Sequence, residues 1–69
     1  MDPLDIALSS LYFLTLKEKI LLRQNIDRIE HLAVLSIADI SFLIKRPLGP
    51  RVSWDGNELM RQTRLALSI

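Results

Sequence analysis

A helix-start signal recurs four times along the 69-residue chain. In each case a Ser, Thr or Asp is followed three residues later by Glu or Asp, the spacing at which two side chains satisfy each other's exposed backbone N–H groups. The four pairs are Thr15 with Glu18, Asp27 with Glu30, Ser36 with Asp39, and Asp55 with Glu58. Because each pair begins a new helix, the signals divide the chain into short helices.

The start of the chain predicts a fifth helix. Asp2 serves as its N-cap, and Pro3 follows at the first helical position, where the missing N–H of proline costs nothing. Apolar residues then recur at helical spacing in every segment. The predicted stripes are Leu4, Ala7, Leu8 and Leu11; Leu16, Ile20 and Gln24, widened by Leu21 and Leu22; Ile29, Leu32 and Ala33; Ile40, Leu43 and Ile44; and Leu59, Thr63 and Ala66, beside Met60 and Leu67.

A loop is predicted at residues 46–51, because the two prolines and the glycine of "RPLGPR" cannot continue a helix. Period-two alternation, which marks a strand, is confined to the short run "RVSW". The sequence therefore predicts an all-α fold: a small bundle of four short helices, then a basic loop and a longer C-terminal helix. A chain of this length forms one domain with a thin core.

The side-chain inventory argues against an enzyme. The chain has no cysteine and one histidine, His31, which points about 100° away from its neighbour Glu30 on a helix and makes a poor dyad with it. A nucleophilic serine needs an activating base and an oriented third group. Neither metal-ligand spacing nor a phosphate-binding glycine loop is present. We therefore predict no catalytic residue, no metal and no cofactor.

The sequence also predicts a cytoplasmic protein without a membrane partner. No stretch reaches the roughly 20 apolar residues that a membrane-spanning helix needs. The acidic start "MDPLDI" is unlike a secretory signal. The absence of cysteine suits a reducing compartment.

Positive charge is concentrated in the last third of the chain. Residues 1–44 carry four Lys or Arg against six Asp or Glu, a net charge of −2, and residues 45–69 carry five against two, a net charge of +3. The candidate nucleic-acid contacts are Lys45, Arg46 and Arg51, whose cations can neutralise phosphates, and Trp54, whose indole can stack on an unpaired base. The alternatives are a solvated loop and an indole that seats the last helix on the core.

The end of the last helix predicts a second surface. Leu65, Leu67 and Ile69 exceed what one buried stripe needs, so they are candidates for a partner, interdomain or dimer contact. No Gly, Asn or Pro ends this helix. We therefore expect the chain to be the N-terminal part of a longer protein.

Three stretches together resemble one family. They are "LSSLYFLTLKEKILLRQNI" (8–26), "IDRIEHLAVLSIADISFLI" (26–44) and "VSWDGNELMRQTRLALSI" (52–69). In this order they resemble the N-terminal domain of DNA-processing protein A (the DprA or Smf family), which has a sterile-alpha-motif-like or helix-hairpin-helix-like fold. The resemblance implies a non-catalytic module of a protein that binds single-stranded DNA and loads RecA in natural transformation and recombination. It also implies a following Rossmann-like domain that holds the main DNA-binding pocket.

One departure from the family bears on DNA binding. Members with a glycine-bearing hairpin have roughly "PGIGP" there, which lets backbone N–H groups approach a phosphate. This chain has "YFLTLK" at residues 12–17. The bulky side chains are expected to keep phosphate away, so we expect weak DNA binding or none from this domain alone. The alternative function is a helical protein–protein interaction module, acting through dimerisation or partner docking.

Overall fold

Five α-helices make up the ordered framework of the protein. The computed structural model describes residues 2–68, and within that range it contains no strand, so "RVSW" is not one. The helices are α1 (Pro3–Ser9), α2 (Leu16–Asn25), α3 (Ile29–Ala33), α4 (Ile37–Ile44) and α5 (Gly56–Leu67). The predicted all-α fold of four short helices and a longer last one is confirmed, and the predicted loop at residues 46–51 is non-helical.

Most of the predicted helix caps are present. The Asp2 carboxylate accepts a hydrogen bond from the Leu4 N–H at 2.9 Å, with proline next to the cap as expected. Complete capping boxes begin α2 at Thr15 and α4 at Ser36. Asp55 accepts from the Glu58 N–H at 3.1 Å and begins α5. Local chemistry therefore determines where four of the helices start.

The predicted capping box of Asp27 and Glu30 is wrong. The N-cap of α3 is Arg28, which makes no side-chain cap bond. Because the helix begins one residue later than predicted, Glu30 lies at its second position and cannot reach back to the cap N–H. The Asp27 carboxylate instead lies 2.9 Å from His31 Nδ1, and Glu30 pairs with Arg64 of α5 at 2.7 Å.

The core is built from one face of each of the first four helices. Its largest fully buried side chains are Leu4, Leu22, Leu32 and Ile40, one from each of α1 to α4. Helix α1 packs against α2, α3 and α5, whereas α4 packs against α2. The predicted stripes of α1 and α3 are confirmed, since all of their residues are buried.

Two predicted stripes are partly wrong. On α2, Leu16 and Ile20 are 74% and 51% exposed, and Leu22 is the buried residue. Ile20 lies about 200° around the helix from Leu22, so the two cannot both face the core. On α5, Thr63 is buried as predicted but Ala66 is exposed. The apolar spacing on α2 is compatible with two different buried faces. The face with Leu22 is the buried one, because α2 packs against α1 and α4.

Two close contacts fix the ends of the loop between α4 and α5. Gly56 begins α5 directly against the backbone of α3, and a Cβ built there would lie 2.7 Å from the Ala33 carbonyl carbon. Lys45 ends α4 in the left-handed conformation, with φ 59° and ψ 35°, and its N–H bonds the Ser41 carbonyl oxygen. The Arg46 N–H reaches the same oxygen at 3.2 Å.

We expect Gly56→Ala to destabilise the protein by about 1–3 kcal/mol, because the added methyl meets rigid backbone of α3 rather than a movable side chain. Urea unfolding followed by circular dichroism measures this. Gly49→Ala is the matched control, since nothing lies within 4 Å of a Cβ at that position. Equal stability of both variants would show that α5 does not pack this closely on α3.

We expect Lys45→Gly to stabilise the protein by about 1 kcal/mol, because glycine adopts the left-handed conformation of a helix C-terminus without the steric cost of a Cβ. Lys45→Ala removes the same charge but keeps the Cβ, so its free energy of unfolding should stay close to that of the wild type. A gain shared by both variants would assign the effect to charge instead of backbone conformation.

Candidate functional site

The predicted nucleic-acid contacts divide into two groups in the structure. Arg46 is part of the fold: its Nε donates to Glu18 Oε2 at 2.7 Å and its Nη2 donates to Glu18 Oε1 at 3.0 Å. The same Nη2 also donates to the Phe13 carbonyl oxygen at 3.0 Å. This guanidinium therefore ties the loop after α4 to the turn between α1 and α2, and a phosphate would have to displace those bonds.

Trp54 also has a packing role. Its Nε1–H donates to the Leu35 carbonyl oxygen at 2.7 Å, and its ring meets Phe13 edge to face with centroids 6.3 Å apart. The indole is half-buried and packs against the core. It joins the α3–α4 turn to the α1–α2 turn, which is the plug arrangement considered as the alternative to base stacking.

Lys45 and Arg51 form the second group. Both are exposed, and neither takes part in a salt bridge within residues 2–68. The loop thus exposes the Lys45 and Arg51 cations to solvent, whereas its third cation, Arg46, is bound to Glu18. Within this loop, a contact with phosphate that leaves the fold unchanged would come from the side chains of Lys45 and Arg51.

The turn of residues 10–15 is closed by its own hydrogen bonds. The Leu11 N–H bonds the Leu8 carbonyl at 3.1 Å, and the Leu14 N–H bonds the Leu11 carbonyl at 3.2 Å. The Thr15 N–H donates to Glu18 Oε1 at 2.9 Å, and Thr15 Oγ1 accepts from the Glu18 N–H at 3.2 Å. The N–H groups of Leu11, Leu14 and Thr15 are therefore bonded within the chain and not available to a phosphate.

Ion pairing and hydrogen bonding hold the Glu18 carboxylate in its charged form. The Arg46 hydrogen bonds, followed by that of the Thr15 backbone, lower the pKa of Glu18 from 4.5 to about 2. The same carboxylate raises the pKa of Arg46. On α4, the Ser36 backbone N–H lowers the pKa of Asp39. These perturbed groups are cap residues and their partners, and their shifts follow from helix capping and one tertiary ion pair.

The structure describes two of the three residues of the predicted partner surface at the chain end. Leu65 and Leu67 are 50% and 42% exposed. Ile69 lies outside the described residues. Arg64 pairs with Glu30 beside this surface.

Sequence reasoning missed a larger apolar surface around α2. Two shallow grooves flank this helix, one against α1 and one against α4. The first has a volume of about 250 Å³, and Leu16 and Ile20 line it. The second, called the α2/α4 groove below, has a volume of about 550 Å³ and is lined by Leu21, Asn25, Phe42, Leu43 and Lys45. Phe42 is 83% exposed.

A sequence signal for Phe42 was available. The buried residues of α4 are Ile40 and Ile44, four positions apart. Phe42 lies midway between them, about 200° around the helix, and therefore on the opposite face. A large aromatic residue on the outer face of a short helix indicates apolar surface beyond what the core uses.

Between residues 2 and 68 no three His, Asp or Glu side chains converge as metal ligands would. His31 is on the surface, with its Nδ1 2.9 Å from the Asp27 carboxylate. None of the described helices has the length and apolar character needed to cross a bilayer.

The chain was compared with protein-family models, with curated proteins and with solved structures, and none of these matches it.

The low pKa of Glu18 predicts acid sensitivity. Because this pKa is lower in the folded than in the unfolded chain, the stabilisation is complete above pH 4.5 and is lost as pH falls towards 2. We expect thermal melting between pH 6 and pH 2 to show a shallower acid slope for Glu18→Gln than for wild type. Arg46→Gln, which removes the main cause of the shift, should also flatten the slope.

Other carboxylates contribute to the decrease in melting temperature at acid pH that remains in Glu18→Gln. The pKa of Glu58 is also lowered to about 2 by Arg61, so this carboxylate titrates in the same window, and the Ser36 backbone N–H lowers the pKa of Asp39. Glu58→Gln is therefore the matched control, because it removes a carboxylate with a similar pKa from α5 alone. An unchanged slope in Glu18→Gln would contradict the tie between Glu18 and Arg46.

Proposed function

We propose that this chain is a non-catalytic helical module of a DNA-processing protein of the DprA type, acting in the cytoplasm. In this proposal the single-stranded DNA pocket and the RecA-loading activity belong to a following Rossmann-like domain. The module itself contributes a weak auxiliary contact. The order of the three resembling stretches supports the family, and the all-α bundle is compatible with it.

The closed turn of residues 10–15 carries the proposal of a weak contact. The N–H groups of Leu11, Leu14 and Thr15 are bonded to Leu8, Leu11 and Glu18, and the turn carries the bulky side chains of "YFLTLK" where a phosphate-binding hairpin has glycine. In the basic loop, Lys45 and Arg51 are exposed and available to the backbone of a DNA strand. Contacts with two phosphates predict an affinity for single strands that falls about sevenfold between roughly 50 and 200 mM salt.

An NMR titration of the ¹⁵N-labelled protein with a deoxythymidine 15-mer tests this proposal. We expect small amide shifts at residues 45–51 that fade as salt is raised, and none at residues 12–17. The double variant Lys45→Gln/Arg51→Gln should lose the response. Both side chains are exposed, so the fold should persist in this variant. Shifts centred on Thr15, or binding indifferent to salt, would overturn the closed-turn argument.

A second function, protein–protein docking or dimerisation, is favoured by the exposed apolar side chains. Phe42, Leu16 and Ile20 are each more than half exposed, and Leu65 and Leu67 on α5 are 50% and 42% exposed. Leu16 and Ile20 line one groove of α2 together, and exposed apolar side chains that lie together mark interaction sites. If DNA causes no amide shift at low salt, the module does not bind nucleic acid, and docking is then its proposed function.

A further inference from the structure

The α2/α4 groove combines apolar walls with a single kind of charge. Leu21, Phe42 and Leu43 supply the walls, Asn25 supplies an amide, and Lys45 is the one charged residue lining it. Lys17 lies one turn before Leu21 on the same face of α2 and adds a second cation near this edge. Neither lysine forms a salt bridge within residues 2–68.

No carboxylate lines the groove, and none pairs with these cations within residues 2–68. Asp39, three residues before Phe42 on α4, carries a negative charge, but its carboxylate is bound at the helix cap, where it accepts from the Ser36 N–H at 3.0 Å. Glu18 binds Arg46. The lining of the groove therefore carries one positive charge, that of Lys45, beside its apolar walls.

The backbone at Lys45 is a second, independent observation. This residue is the one non-glycine among residues 2–68 with positive φ, at a helix end where glycine fits at lower cost. A lysine at this position is less stable than a glycine would be, but it places a cation at the edge of the groove. Residues held in unfavourable backbone conformations are often found at functional sites.

We propose that the α2/α4 groove docks an acidic amphipathic helix of a protein partner. The partner's apolar stripe would cover Phe42 and lie between Leu21 and Leu43, and a carboxylate one turn away would pair with Lys45. A furrow between two helices with apolar walls suits a third helix, which offers apolar side chains at three- and four-residue spacing. The charge of the rim selects acidic helices over basic ones.

The other groove on α2 does not show this selectivity. Its guanidinium, Arg23, is already paired with Asp2 and Asp5 at 3.2 and 3.1 Å. Its rim therefore carries both signs of charge, and its volume of about 250 Å³ is less than half of the 550 Å³ beside α4. Charge complementarity points to the α2/α4 groove alone.

A second copy of the chain and a nucleic acid fit the groove less well. The exposed apolar end of α5 offers no unpaired carboxylate to Lys45, since Glu58 is paired with Arg61 and Glu30 with Arg64. A nucleic acid needs a row of cations along its phosphates. Here one lining cation stands among aliphatic and aromatic walls.

The test uses a synthetic 18-residue helical peptide with Leu at i, i+3, i+4 and i+7 and Glu on both flanks of that stripe. Its matched control has Lys in place of every Glu. We expect the acidic peptide to shift the amides of Leu21, Asn25, Phe42, Leu43 and Lys45 in the ¹⁵N-labelled protein. We also expect it to bind at least about threefold more tightly than its basic counterpart, since like charges oppose docking.

Three variants localise the site without threatening the fold. Phe42→Ala removes an exposed ring and should weaken binding about tenfold or more, as expected for a central apolar anchor. Lys45→Gly removes the cation where glycine suits the backbone, and should weaken binding about two- to fivefold. Val34→Ala truncates another exposed apolar side chain, 78% exposed and not among the lining residues, and should change nothing.

Several results would overturn the proposal. Equal affinity for both peptides would show that the groove does not select acidic helices. Unchanged affinity in Phe42→Ala would show that the peptide does not bind in the groove. Light scattering that shows dimers lost in Phe42→Ala would assign the surface to a second copy. A deoxythymidine 15-mer that shifts Leu21, Phe42 and Leu43 where the acidic peptide does not would assign it to nucleic acid.

Discussion

The Glu18 carboxylate closes the start of α2 through Thr15 and at the same time binds the Arg46 guanidinium from the far side of α4. One oxygen pair thereby joins the α1–α2 turn to the loop that leads to α5. The Thr15 N–H of the turn and the Arg46 guanidinium of the loop both donate to this carboxylate. This supports the weak DNA contact that we propose, because neither group is free to bind a phosphate.

The small size of the chain limits how much apolar surface its core can bury. A domain of about 70 residues cannot bury all of its apolar side chains. The core takes one fully buried aliphatic residue from each of α1 to α4, and α5 covers α1 and α3. Apolar residues on the outer faces remain exposed, and Phe42 shares its groove with Lys45, which forms no salt bridge within residues 2–68. The docking role that we propose rests on this combination.

Some features were predictable from the sequence because their cause is local. Asp2, Thr15, Ser36 and Asp55 cap their helices as their spacing predicts. The Asp27 cap and the Leu16–Ile20 stripe were wrong because their outcome depends on distant partners. Glu30 is drawn to Arg64, 34 residues away, and α2 turns the face with Leu22 inward since α1 and α4 both pack there. The use of Arg46 and Trp54 within the fold also rests on contacts with distant residues.

The sequence by itself determined the helix class, most helix starts, the loop and the absence of cysteine chemistry, because capping, proline and composition act within a few residues. Tertiary structure alone decided which cations stay exposed, which apolar face of α2 is buried, and that Phe42 and Lys45 share one groove. Each of these depends on how helices far apart in the chain pack, and neither residue spacing nor composition encodes that packing directly.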